Sequence, residues 1–452
     1  MATMTTDGGT PNLLFVTADD LSCFTPGCFG GHPDVTQRID ALAAEGARYT
    51  RAHVPIAVCQ PSRSAMLTGR WPHRNGAEGF QPIRDDVPVL TDLLRPAGYR
   101  CGILGKVDHL QPVARFDWDF VRTQPELGQG RDPVAYGHAA AEFMNQPGPW
   151  FLMANAHDPH RPFHGSADEA AHFSAEQKQT FPPPSRSFQP DEADPPRFLP
   201  DLPGVRDEVS QYLGSSRRLD DVVGRVLDAL RDSGQADNTL VLFLSDNGMA
   251  FPFAKANCYL QSTATPLVVR WPGRIAAGVL DETHFVSGLD VFPTFCAAAG
   301  VDVPEYCDGR SLLSLFDGET DGDRERVFTV FHQTSAGRRY DMRCVQDTRF
   351  GYIWNAWSDG EHEYRAENMN GLTWAAMTEA AKSDPALAVR TRFYLHRTPE
   401  ELYRLDEDPA ALENLAGNPG YEPDLAIARK QLRDWMSAVG DPLAERFAAQ
   451  VG

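Results

Sequence analysis

The sequence predicts an α/β fold: a mixed, mainly parallel sheet held between helices, followed by a smaller C-terminal α+β subdomain. Three observations predict it. Five short apolar runs, Leu13–Val16, Cys101–Leu104, Phe151–Ala154, Leu240–Leu244 and Pro266–Val269, read as strands buried on both faces. Helical patterns lie between them, which is the alternation of a parallel sheet. After about Asp317 the pattern changes to short strands and one terminal helix.

Taken in order, Leu13–Val16 leads to Thr36–Ala47, where Ile39, Leu42 and Ala43 form one stripe. Ser210–Leu230 is the longest helical pattern, with Leu213, Leu219, Val223, Val226, Leu227 and Leu230 in register. From 160 to 207 the chain is rich in Pro, Asp and Glu and keeps no period. A stretch of that length reads as a long loop or lid. The expected division is an α/β domain over 11–317 and a C-terminal subdomain over 318–452 with a small antiparallel sheet. There, Val327–Phe331, Arg343–Val345 and Tyr352–Trp354 read as strands. Asp424–Val439 reads as a helix with Leu425, Ala428, Leu432, Trp435 and Met436 inward.

Composition excludes several function classes. Lys and Arg number 42 against 62 Asp and Glu, a net charge of −20. A nucleic-acid binder needs a basic footprint, and an anionic membrane surface is disfavoured for the same reason. No run approaches the eighteen apolar residues of a membrane span. The start, Met1 to Pro11, has no basic n-region and no separate apolar segment, so a cytoplasmic protein is expected, or a periplasmic or secreted one if a leader had been trimmed. Eight cysteines are scattered without CxxC or paired Cys/His spacing, which fits buried reduced thiols. GxGxxG, GxxxxGK[ST], GxSxG and HExxH are all missing, so dinucleotide, P-loop, serine-hydrolase and zincin chemistry lack support.

Polar residues gather where the predicted strands end. Leu13–Ala18 runs into Asp19 and Asp20. Cys101–Leu104 is followed by Lys106, Asp108 and His109, and Phe151–Ala156 by His157, Asp158, His160 and Arg161. Leu240–Leu244 is followed by Asp246, Asn247 and Gly248. Carboxyl ends of strands are where open α/β sheets bind ligands. Asp and Asn also end strands as turn residues, but four such ends together are hard to explain as turns. Asp19, Asp20, Asp246 and Asn247 offer hard oxygen donors suited to Ca²⁺, Mg²⁺ or Mn²⁺. In Val58-Cys59-Gln60-Pro61-Ser62-Arg63, Pro61 suits the first position of a helix running through Leu67. Cys59 then stands just before a helix N-terminus, an anion-binding position, with Arg63 one turn in. On spacing alone, a buried structural cysteine accounts for Cys59 equally well.

The pentad Cys59-x-Pro61-Ser62-Arg63, followed by Leu67-Thr-Gly69-Arg70, resembles the signature of the sulfatase family. Asp19-Asp20, Gly105-Lys106-x-x-His109 and Ser245-Asp246-Asn247-Gly248 resemble its other blocks, in order, over residues 11 to 420. Within the family, His157-Asp-Pro-His160-Arg161, Asn257-Cys-Tyr259, Met342-Arg343-Cys-Val-Gln346 and Glu401-Leu-Tyr403 most resemble the sulfamidases, which act on N-sulfoglucosamine. Two features depart from them: Lys106 and His109 are one residue further apart, and Lys255 stands where an arginine is usual.

The resemblance implies an alkaline-phosphatase-like fold and a hydrolase. Cys59 would be converted to formylglycine by a formylglycine-generating maturation enzyme, and the hydrated aldehyde would be the nucleophile. Asp19, Asp20, Asp246, Asn247 and the modified Cys59 would hold Ca²⁺, with Mg²⁺ or Mn²⁺ as alternatives. Arg63 would hold the nucleophile and neutralise charge, and Lys106 and Lys255 would grip sulfate oxygens. His157 would be the general acid, and His109 would take a proton as sulfate leaves. His160, Arg161, His332 and Arg343 would line the substrate pocket. The expected substrate is a small N-sulfoglucosamine-like sugar, since the acidic surface repels long polyanions. The alternatives are an O-sulfate ester of a sugar or aryl group, a phosphonate or phosphodiester hydrolase, and a non-catalytic sulfated-sugar binder with Cys59 left as a thiol. Neither a nucleic acid nor a membrane is expected as partner, and a homo-oligomer stays open.

Overall fold

The computed structural model describes residues 9–451. The start that was read for a leader lies, over residues 1–8, outside the described residues, as does Gly452. The large sheet has eight strands: β1 (Asn12–Ala18), β2 (Ala47–Tyr49), β3 (Arg100–Leu104), β4 (Phe120–Arg122), β5 (Trp150–Asn155), β6 (Thr239–Ser245), β7 (Leu267–Arg270) and β8 (Val279–Asp281). Their order is β4-β3-β5-β1-β6-β7-β2-β8. All neighbours are parallel except β7, which runs antiparallel to both β6 and β2. The expected mixed, mainly parallel sheet is present, and all five apolar runs are strands of it.

The continuous apolar runs have a simple cause. Successive side chains of a strand point to opposite faces, and both faces of this sheet are covered. Leu13 and Phe15 of β1 face α2 (Cys59–Thr68) and the later helix Val291–Ala298, where Phe15 and Phe295 rings lie 5.7 Å apart. Leu14 and Val16 face α1 (Gln37–Ala44), α3 (Pro133–Met144) and α4 (Pro203–Asp232). Helix α4 begins at Pro203, inside the stretch read as loop: Val205, Val209, Tyr212 and Leu213 form a buried stripe there, which the Pro203-Gly204 opening and the charged residues between conceal in the sequence. The rest of 160–207 packs down on the molecule: Phe163, Phe173, Phe188, Phe198 and Leu199 are buried, with short helices at Ala167–His172 and Ala175–Lys178.

A second, antiparallel sheet follows: β9 (Val327–Gln333), β10 (Arg339–Gln346), β11 (Phe350–Asn355) and β12 (Glu400–Arg404). One face, with Tyr352, Trp354 and Leu402, packs on the terminal helices α5 (Glu422–Ala438) and α6 (Ala444–Val451) through Leu425, Leu432, Met436 and Phe447. The other face, with Met342, Cys344, Ile353 and Tyr403, packs on residues 249–259 of the larger part. Two buried arginines fasten these layers. Arg343 of β10 reaches Asp441, with Nε–Oδ2 at 2.5 Å and Nη2–Oδ1 at 3.1 Å. Arg397 donates to Asn257 Oδ1 and to the Tyr259 hydroxyl, each at 2.9 Å, among the rings of Tyr259, Tyr364 and Tyr394.

Removing one partner of a buried ion pair leaves an uncompensated charge. Asp441→Ala is therefore expected to cost about 3–5 kcal/mol in urea unfolding. Replacing both partners with apolar residues, Arg343→Met with Asp441→Leu, should recover most of that loss.

Candidate active site

The site is assembled at the carboxyl ends of β1, β3, β5 and β6. Beyond β1, Asp20 has φ 70°, a left-handed conformation that turns consecutive carboxylates into one cluster. Beyond β6, Asp246 donates its amide to Ala18 O at 3.2 Å, and its Oδ1 accepts from the Asp20 amide at 3.1 Å. One oxygen each from Asp19, Asp20 and Asp246 lies within 4.8 Å of the others, and all three residues are buried. Asn247 donates to Asp20 Oδ1 at 2.6 Å.

Cys59 stands over this cluster. Helix α2 starts at Cys59 itself, capped by extended Val58, two residues earlier than Pro61 suggested. Pro61 falls third in the helix, still among the first turn's unbonded N–H positions. The Cys59 thiol lies 3.3 Å from Asp19 Oδ1 and 3.1 Å from Lys255 Nζ. Burial, and then Asp19 beside it, push this thiol well above its ordinary range. As an unmodified thiol it is held protonated.

Three cations enclose the carboxylates. Arg63, without solvent exposure, lies 2.7 Å from Asp246 Oδ2 and donates to Thr17 Oγ1 at 2.7 Å and Asn155 Oδ1 at 2.6 Å. Lys106 pairs with Asp19, and Lys255 with Asp20 Oδ1 at 2.6 Å. Lys106 follows Gly105, and both are left-handed, with φ 52° and 67°. A Cβ on Gly105 would meet Asn155 O at 2.5 Å, so only glycine lets the chain turn this close to β5. Lys255 sits between Phe253 and Ala256, each with φ 64°. Non-glycine residues in that region are strained. The C-terminal part holds the strained turn: Asn368 Nδ2 donates to Lys255 O at 2.5 Å and the Tyr364 hydroxyl to Ala256 O at 2.7 Å.

Histidines form the open side. His157 and His160 rings are 4.9 Å apart, and a His160 nitrogen comes within 4.8 Å of Asp19 and Cys59 ligand atoms. His109 is half-buried, with its ring 5.9 Å from Phe80. Burial, reinforced by Lys106, drives both His109 and His157 well below the usual histidine range. Burial also lowers His160 to about 4, against the pull of Asp19. All three imidazoles are neutral at pH 7. His157 Nδ1 has no hydrogen-bond partner, and a bound anion is the charge that would raise its proton affinity.

The cluster fits a divalent cation. Asp20 Oδ2 and Asn247 Oδ1 are buried without any partner, while Asp19 Oδ2 and Asp246 Oδ2 have ion-pair contacts but no aligned hydrogen bond. Buried oxygens of this kind are ordinarily satisfied, and four converging hard donors suit Ca²⁺, Mg²⁺ or Mn²⁺.

Of the residues singled out in the sequence, the structure brings together Asp19, Asp20, Cys59, Arg63, Lys106, His109, His157, His160, Lys255, Asp246 and Asn247. Three lie apart. Arg343 is spent on Asp441 and on the carbonyls of Phe331 and Met342, with no exposed surface for a ligand. Arg161 pairs with Glu208 at 2.7 Å and donates to Ala250 O. His332 is buried against Asp341, Nδ1–Oδ1 2.9 Å, with Nε2 unpartnered. Two residues, Thr17 and Asn155, are not singled out by the sequence, and Asp158 is named there without a role. Thr17 and Asn155 anchor Arg63, and Asp158, between Arg218 and Arg131, holds the turn that carries His157. The signal for the first two was a polar residue inside an apolar run.

Comparison with known proteins agrees with this geometry. The family description "Sulfatase" matches residues 11–301, and "N-sulphoglucosamine sulphohydrolase, C-terminal" matches residues 250–364. The human N-sulphoglucosamine sulphohydrolase is 30% identical over 95% of this chain and 91% of its own length. An ulvan-active sulfatase of Formosa agariphila is 28% identical over 97% and 82%. A solved structure described as a complex with its substrate D-glucosamine-2-N,6-O-disulfate superposes with a TM-score of 0.72 at 18% identity, covering 96% of this chain and 99% of its own.

A cation bound to the folded state alone stabilises it by mass action, about 2.7 kcal/mol at one hundred times its Kd. Millimolar Ca²⁺ added after chelation is expected to raise the thermal unfolding midpoint of the wild-type protein, and not that of Asp20→Asn.

Proposed function

Because the chain belongs to the sulfatase family, we propose that it hydrolyses the sulfate of a small sulfated amino sugar, with an N-sulfoglucosamine-like compound as the leading substrate. The observation that carries the reading is the placement of Cys59. It opens a helix N-terminus, touches Asp19 and Lys255, and faces buried oxygens that lack donors. The match of residues 250–364 to the C-terminal part of N-sulphoglucosamine sulphohydrolases supports the N-sulfo sugar over other sulfates.

The charges support a sulfuryl substrate. Three carboxylates (Asp19, Asp20, Asp246) face three cations (Arg63, Lys106, Lys255), so the ionised cluster is balanced. A divalent cation would leave two positive charges to be met by an anion. In sulfuryl transfer negative charge spreads over oxygens, and fixed cations stabilise it without reorganisation. Lys106 and Lys255 would bind those oxygens, and Arg63, fixed by Thr17 and Asn155, would orient the group at position 59. The metal, when bound, would supply Lewis-acid activation. Cys59, converted to formylglycine by a maturation enzyme, would supply the attacking hydroxyl. Neutral His109 suits proton removal as sulfate departs. His157, whose proton affinity rises as the anion binds, suits protonation of the leaving nitrogen or oxygen.

Protein co-expressed with a formylglycine-generating enzyme should release sulfate from N-sulfoglucosamine faster than from glucosamine-6-sulfate or 4-nitrophenyl sulfate. Cys59→Ala should abolish release, and Lys106→Ala should lower kcat by about 10²–10³. Release from O-sulfates alone would overturn the N-sulfo reading, and cleavage of phosphonate esters alone would overturn the sulfate reading.

A further inference from the structure

Glu367 is a buried carboxylate that nothing described so far uses. It opens the short 3₁₀ turn Glu367–Met369 on the C-terminal segment that covers the Lys255 loop. Neither carboxylate oxygen is solvent-accessible, and neither has a hydrogen-bond partner. On the same turn, fully buried Asn368 clamps the Lys255 carbonyl through Nδ2, while its Oδ1 is a further acceptor without a donor. Three acceptor atoms thus stand idle on a turn that contacts the Lys255 backbone. The Lys255 ammonium also feels Glu367. Burial works against that charge, and Asp20, Cys59, Asp19 and then Glu367 hold it in place. Lys255 Nζ nevertheless spends its bonds on Asp20 and Cys59.

An idle buried acceptor costs free energy, more when it is charged. A negative charge beside an anion site also weakens anion binding. Glu367 therefore does nothing for the sulfuryl end, where Lys106, Lys255 and Arg63 already serve. What a buried carboxylate beside such a site can hold is the donor-bearing body to which the sulfate is attached. A sugar ring presents hydroxyl donors there, and a simple aryl group presents none.

We propose that Glu367 is a specificity-determining residue that accepts hydrogen bonds from hydroxyl groups of the sugar carrying the sulfate, selecting polyol sulfates over aryl sulfates. This rests on the sugar-sulfatase reading above. Asn368 fixes the turn that carries this carboxylate against the Lys255 loop.

The test compares wild-type protein with Glu367→Gln and Glu367→Ala, all matured at position 59, on N-sulfoglucosamine and 4-nitrophenyl sulfate. The ratio of kcat/KM for sugar to that for aryl sulfate should fall at least about tenfold in Glu367→Ala. The fall should come mainly from KM on the sugar, with Glu367→Gln falling less because it keeps one acceptor. Thermal unfolding of each variant reports whether the fold is intact. An equal loss on both substrates, or an unchanged ratio, overturns the assignment of Glu367. Wild-type protein that cleaves 4-nitrophenyl sulfate but no sugar sulfate is a separate result, and overturns the sugar reading together with the inference built on it.

Discussion

Three carboxylates with no solvent of their own set the terms for the rest of this molecule. Asp19, Asp20 and Asp246 are buried together at one edge of the sheet. Isolated carboxylates at such depth would neutralise or drive the fold apart. The protein answers with one cation from each of three separate elements: Arg63 from a helix, Lys106 from the turn after β3, Lys255 from a loop. The competition is visible in the acids themselves. Burial opposes charge on Asp19, but Lys106 and the cations behind it hold its carboxyl well below the usual range. Asp246 goes the other way, to about 7, because burial and its acidic neighbours outweigh Arg63. A divalent cation beside Asp246 would favour its ionised form.

Aligning the groups has a conformational cost. Asp20 and Lys106 are themselves left-handed, and Phe253 and Ala256, also left-handed, flank Lys255. Strain of this sort persists only where surrounding structure over-determines it. The surroundings are identifiable: the close approach of Gly105 to Asn155 for Lys106, and the Tyr364, Asn368 and Arg397 contacts for the Lys255 loop.

The sequence made the centre of the fold legible and left its periphery obscure for physical reasons. The central strands were readable because a sheet covered on both sides demands unbroken apolar runs, and Asp19, Lys106, His157 and Asp246 because each directly follows such a run. Strands β2, β4 and β8 have three residues each, too few for any period to register. Helix α3 escaped because Val134, Ala135 and Ala141 make its outer face apolar as well, which hides the buried stripe of Tyr136, Ala139, Ala140 and Phe143. Arg343 illustrates the harder limit. A basic residue in a motif-like stretch reads as a ligand contact, yet its partner is Asp441, 98 residues away. No local pattern announces a pairing of that range, and the same holds for Asp158 with Arg218.

The clamp on the Lys255 loop also orders events in time. Cys59 leaves the ribosome early, but the residues that enclose it leave late: Lys255 covers the thiol, and Asn368 and Arg397 hold the Lys255 loop. A nascent chain of 300 residues already carries both Cys59 and Lys255, yet lacks the segment that seats one upon the other. Once the final third of the chain has docked, the cysteine is 2% exposed. Conversion of residue 59, if it takes place on the free side chain, would therefore have to precede the docking of a segment more than 300 residues further along the chain.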